Sequence, residues 1–355
     1  MTTLLWESGS AYDFFIALYV LHHPGDFGLR PTWAAGMRSR LPTAQRADLE
    51  RAQAFLGVPL AWLHALPPEA KEANDALAAL AALPPAARLP ALLMHPKWPP
   101  EARQALDDLA QHGQITPAAW ESLRQAYEQV WHPRHPQAFT LLAAALSAGE
   151  AFGTALLDAL RAFYQAFFRE EEAHLRPWLA RGLTDAQALA ARTDLPTLLE
   201  TLSGGVRFEM LEEAPEVVLV PSYWSTPLVF YGQVTPTRWL MVFGCRPAAQ
   251  APASGENLPT ALLHRLKALA DPTRLRILRY LAQGPQTPSG LARQLRLRPP
   301  TVVHHLQALR LAGLVHITIT REGERRYALR REAITAAFTD LEAFLHSDSH
   351  PSSSE

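Results

Sequence analysis

Cysteine is almost missing from this chain. Cys245 is the one thiol among 355 residues, which excludes an internal disulfide framework and a thiolate metal site and suits a reducing cytoplasm. No apolar run approaches the roughly 20 residues that a membrane span requires, and no basic stretch followed by a signal-type apolar segment opens the sequence. Catalytic signatures are missing as well: there is no Gly-x-Ser-x-Gly elbow, no phosphate loop and no His-Glu-x-x-His. The expectation is a cytoplasmic protein without membrane contact, without a cofactor and without enzymatic activity.

What is there divides unevenly. The net charge of −1 conceals 14 Lys and Arg against 6 Asp and Glu in residues 258–347, and 19 against 26 in residues 1–257. Phosphate contacts need concentrated positive charge, so the basic C-terminal part is the candidate for nucleic-acid binding and the acidic body is not. All nine tryptophans precede residue 258. With Phe163, Tyr164, Phe167 and Phe168 they give the body enough aromatic material for a packed core or an apolar pocket.

Helical patterning dominates the body. Residues 10–23 read as a mostly buried helix capped near Ser10 and stopped by Pro24-Gly25. From Pro42 to Leu202, Ala/Leu-rich helical patterns are broken by Pro67-Pro68, Pro84-Pro85 and Pro99-Pro100. Pro68-Glu69, Pro100-Glu101, Thr116-Pro117 and Thr184-Asp185 read as helix starts. No fixed period recurs, which favours an irregular bundle over a solenoid. After Ser203-Gly204-Gly205 come short β-type runs, Val206–Met210, Val217–Val220, Leu228–Tyr231 and Arg238–Phe243, expected to form a small antiparallel meander.

The C-terminal part carries the sharpest signal. Asp271-Pro272 supplies a cap and a first-turn proline for a helix to about Ala282. A shorter helix spans about Ser289 to Arg296, and a third begins at Pro299-Pro300. Leu306, Leu309 and Leu314 mark the inner side of that third helix, and Val315–Thr320 and Arg325–Leu329 alternate as a hairpin. The order and spacing are those of a winged helix-turn-helix.

The run Leu266–Leu278, with Ala270-Asp271-Pro272-Thr273-Arg274 at its centre, resembles the opening of the ArsR family of bacterial winged-helix regulators. His304-His305-Leu306 through Ala312-Gly313-Leu314-Val315, then Arg321-Glu322-Gly323, resemble its recognition helix and wing. Longer ArsR-type proteins also have a helical N-terminal region ending in a strand similar to Val220-Pro221-Ser222. The resemblance implies double-stranded DNA as partner and a homodimer, with helices around Leu262–Ala270 and Ile334–Leu345 pairing across a two-fold axis. The regulator is expected to be a repressor, and a body of around 200 residues, more than a winged helix needs for dimerisation, is expected to answer to an unidentified small-molecule or protein effector. Arg298, Thr301, Val302, His304, His305, Gln307 and Arg310 are the expected DNA-contacting residues of the helix, and Arg321, Arg325 and Arg326 those of the wing. Arg298 and Val303 stand where the family often has serine, which exchanges a cap and a hydroxyl contact for a cation and an apolar side chain.

Metal sensing is disfavoured. Gln286–Gly290 contains no thiol where the family's sensors carry Cys-x-Cys, and Asp340, Glu342, His346 and His350 do not match its zinc spacing. His304 and His305 point about 100° apart on a helix and rarely share an ion. Glu171-Glu172-Ala173-His174 has the Glu-x-x-His spacing of di-iron helices but no second copy.

The expected organisation is mainly α with the small meander and a C-terminal winged helix-turn-helix. Residues 1–203 form a helical body serving sensing or interaction, 204–246 the meander, 247–257 a linker, 258–346 the DNA-binding domain and 347–355 a disordered tail. Two alternatives stay open: an enzyme fused to a DNA-binding module, and an effector-free interaction platform.

Overall fold

The computed structural model describes residues 2–131, 135–247 and 260–346. Most of the expected linker and all of the expected tail lie outside the described residues. Two compact units share the chain: residues 1–191 with 213–246, and residues 192–212 with 247–355. The second unit therefore takes in a segment, residues 192–212, that the sequence assigned to the body and the meander.

In the first unit the helix Ser10–His22 is buried on nearly all sides, Asp13 included. Gly9 rather than Ser10 occupies its cap position. The Ser10 hydroxyl lies instead between the carboxylates of Glu72, at 3.0 Å, and Glu172, and accepts the Ala73 amide at 2.9 Å. Prolines 85 and 100 open helices at their first turn, where a missing N–H costs nothing. The helix beginning at Pro85 packs against Gly149–Phe163. A Cβ on Gly153 would meet the Pro85 carbonyl oxygen at 1.7 Å, so this backbone approach requires glycine.

From Gly149 the chain stays helical to Ala190, with one π-type turn at Tyr164–Phe168. Thr184-Asp185 does not start a helix. The Thr184 hydroxyl bonds back to the Ala180 carbonyl of its own helix, satisfying it mid-helix.

The β segment departs from the expected meander. Strands β1 (Thr3–Trp6), β2 (Val206–Phe208), β3 (Glu216–Ser222), β4 (Phe230–Gln233) and β5 (Arg238–Gly244) fall into two sheets. In the first unit the order is β1-β3-β5-β4; β1–β3 and β3–β5 are parallel and only β4–β5 is antiparallel. Val217–Val220 and Leu240–Phe243 are buried without alternation. Continuous apolar runs of this kind belong to strands covered on both faces, the usual state of parallel ones.

In the second unit β2 pairs in parallel with β6 (Val315–Ile319), which pairs antiparallel with β7 (Arg325–Leu329). Val206 sits beside Ile317 and Phe208 beside Ile319. Asp194 caps the preceding helix Leu195–Leu202 through the Thr197 amide at 2.9 Å. Leu198, Leu199, Val206, Phe208 and Leu211 are all buried, so this short stretch brings its own apolar side chains to the sheet. The wing hairpin is thus three-stranded, with one edge covered by chain from upstream.

Candidate nucleic-acid interface

Three helices and the hairpin set the geometry. Asp271 caps Pro272–Leu281 by accepting the Arg274 amide at 2.9 Å. The Arg274 guanidinium reaches back to the Ala268 and Lys267 carbonyls, at 2.8 and 2.7 Å, closing the end of the helix Thr260–Leu269. Thr287 caps Pro288–Leu295 through the Gly290 amide at 3.0 Å. That helix ends with Arg296 at φ 56°, in the left-handed region, while the Leu297 amide bonds back to the Ala292 carbonyl. The sharp reversal aims the next helix, Pro299–Leu311.

The sides of Pro299–Leu311 separate cleanly. Val302, Leu306 and Leu309 are fully buried, at the i, i+4, i+7 spacing of an inward stripe. Pro300, Thr301, Val303 and His304 are exposed, with Gln307 and Arg310 half-buried beside them. Arg298 is exposed at the cap position and makes no side-chain cap bond, as the replacement of serine implies.

Two expected contact residues therefore change role. Val302 belongs to the core. His305 is turned toward Asp271, with Nδ1 3.9 Å from Oδ1, and its side chain keeps 15% exposure. Burial holds its imidazole below the ordinary histidine range, although Asp271 opposes that shift. His305 thus packs inward beside Asp271, its Nδ1 buried without a hydrogen-bond partner; His304 is the outward member of the pair.

In the wing, Arg321, Arg325 and Arg326 are all exposed. Arg326 Nε bonds Glu324 at 2.8 Å. Gly323, at φ 79°, supplies the positive φ that closes the turn, and its amide reaches the Thr320 carbonyl at 2.9 Å. Tyr327 exchanges backbone hydrogen bonds with Gln286, fastening β7 to the turn before Pro288–Leu295.

Between that turn and β7 lies an open cleft of about 300 Å³ lined by Pro285, Gln286, Thr287, Gly290, Arg293, Gln294 and Arg326. Arg293 and Gln294 were not singled out from sequence. Their signal was there in the outward positions between inward Leu291-Ala292 and Leu295. The cleft joins the N-terminal end of a helix to two guanidinium groups, an arrangement suited to an anion. Among the described residues no group of three or more His, Cys, Asp and Glu is placed to hold a metal ion. No single helix among them is long and apolar enough to cross a membrane.

Three helices turning through capped, tight connections, followed by a twisted hairpin, define a winged helix-turn-helix protein. The model for bacterial regulatory proteins of the arsR family matches residues 271–316. The transcriptional regulator CmtR of Mycobacterium tuberculosis is 43% identical over 87 residues, covering 24% of this chain and 72% of CmtR. Rv2034, a transcriptional regulator of the same organism, is 42% identical over 79 residues, 22% of this chain and 72% of its own length. A solution structure of the homodimeric winged helix-turn-helix DNA-binding domain of Mb0332 from Mycobacterium bovis is 30% identical. It covers 28% of this chain and 95% of that domain, with a TM-score of 0.20. The chain belongs to the ArsR family, and these matches cover about a quarter of its length at the C-terminal end.

Proposed function

We propose that the protein is a homodimeric DNA-binding repressor whose N-terminal body answers to an effector. The observation that carries the DNA-binding part is the outward strip of Thr301, His304 and Gln307, flanked by the exposed arginines of the wing. Thr301, His304 and Gln307 face the base edges of a major groove, while Arg298, Arg310, Arg321, Arg325, Arg326 and the added Arg293 hold phosphates. His305 and Val302 act behind this surface, fixing the helix.

Dimerisation rests on the final helix Arg331–His346, where Phe338 and Leu345 are 53% and 70% exposed at i, i+7 spacing. An apolar stripe of this kind is covered in a stable assembly. Two copies related by a two-fold axis would present their helices to successive major grooves, roughly 34 Å apart.

Fluorescence anisotropy with the duplex upstream of the protein's own gene, against a scrambled duplex over a salt series, tests the proposal. Tighter binding of the upstream duplex is expected. Absence of binding to both duplexes at low salt would refute a DNA-binding role.

A further inference from the structure

Residues 192–212 do more than complete a sheet. The parallel register Val206↔Ile317, Arg207↔Thr318, Phe208↔Ile319 carries the next residue, Glu209, alongside the wing turn. There its Oε2 accepts the Arg321 backbone amide at 3.2 Å. The stretch is held in place at several points. The Ile317 amide donates to the Gly205 carbonyl at 3.0 Å. Glu200 takes Arg207 at 2.7 Å and His316 of β6 at 2.9 Å. Phe208 and Leu211 are fully buried.

We infer that this segment is an autoinhibitory strap, with the Glu209 carboxylate standing at the wing tip where a DNA phosphate would approach. The inference rests on the DNA-binding reading above. A backbone amide that would serve a phosphate oxygen is already taken by a carboxylate of the same charge. Arg326, held chiefly by Glu324, also has Glu209 and Glu322 among the carboxylates acting on it. The wing's positive field is therefore partly neutralised by a group that arrives from upstream of β3 rather than from the hairpin itself. Both ends of the strap continue into the other unit, at residues 191 and 213. A conformational change of that unit can reach the strap through its two chain connections, and withdrawal of Glu209 strengthens DNA binding.

The test uses the full chain and Glu209→Gln, which keeps an acceptor for the Arg321 amide and removes only the charge. A carboxylate several ångströms from a phosphate weakens binding by about threefold at low salt. Glu209→Gln should therefore bind a duplex about threefold tighter near 50 mM salt, with the gain vanishing at roughly 0.5 M. Glu101→Gln, an equal loss of charge in the other unit, should leave affinity unchanged. If wild type binds and Glu209→Gln binds no tighter, or if Glu101→Gln tightens binding equally, the strap is not a brake although the DNA-binding reading stands. If neither wild type nor variant binds DNA at low salt, both readings fall.

Discussion

Phe208 lies beside Ile319 in adjacent parallel strands, and both side chains are buried. An aromatic ring from one end of the second unit's sequence is thereby a core residue of the wing at the other end. Phe208→Ala should destabilise the second unit by about 3–5 kcal/mol, the usual range for removing a buried phenyl ring. Chemical denaturation followed by hydrogen exchange should show protection lost at Val315–Ile319 while the Ser10–His22 helix keeps its protection. Equal loss in both units would mean that they unfold as one.

His304 and His305 should separate under mutation. His304→Ala should weaken binding to the upstream duplex about tenfold and leave scrambled-duplex binding and stability nearly unchanged. His305→Ala should lower the melting temperature and weaken binding to both duplexes, because it loosens the seat of the helix against Asp271. Paired anisotropy and thermal melts distinguish these outcomes.

Arg296 holds a conformation that L-residues rarely adopt. Arg296→Gly should stabilise the protein by about 0.5–1 kcal/mol, the strain relieved exceeding the added freedom of the unfolded chain. A denaturation midpoint shifted upward with an unchanged slope would bear this out.

Asp13 governs a pH dependence. Its Oδ1 accepts the Ser222 hydroxyl and the Trp224 amide, both at 2.8 Å, while Oδ2 is buried without a hydrogen-bond partner. Burial pushes its carboxyl up to about 7, against the lowering effect of those bonds. A folded pKa above the unfolded value means that the native state binds the extra proton. The associated stability is present in acid and is lost as pH rises to about 7, by about 3 kcal/mol between pH 5 and pH 8. Half-buried His22 and His95, lowered to about 4, slope the opposite way below pH 6.5. The quantity to measure is therefore the stability difference between wild type and Asp13→Asn. It should shift in favour of the variant as pH rises from 5 to 8; a difference independent of pH would exclude Asp13 as the titrating group.

Phe338→Glu places a charge in the exposed apolar stripe of the last helix. Sedimentation should show the proposed dimer weakened by at least about tenfold, with the monomer still folded. An unchanged assembly would move the interface elsewhere.

The winged helix was legible because its signals are local. Asp271-Pro272 writes its own cap, and a turn around Gly323 writes the hairpin. Within Pro299–Leu311 the residues Thr301, Val302, His304 and His305 read as one surface, although the 3.6-residue period turns Val302 inward and His305 toward Asp271. Several of the body's helices were legible because a proline opens them, as at Pro85, Pro100 and Pro117, while Pro31–Arg38 went unread. Its sheet was misread because Val217–Val220 states burial on both faces, not which strand lies alongside. Strand β2, three residues long, carried no sign of its distant partner. Ser10 looked like a cap because its chain neighbours fit one; the carboxylates that claim it arrive from Glu72 and Glu172.

The chain's path in and out of the second unit bears on the order of synthesis. β2 leaves the ribosome long before β6 exists, so Phe208 emerges as an unpartnered aromatic on a nascent chain. The wing cannot close until nearly the whole polypeptide has been made, which gives this otherwise local fold a non-local, slow-forming contact. A winged helix of this design cannot be transplanted as a cassette cut at one point, since part of its hydrophobic core is encoded ahead of strands that belong to the other unit.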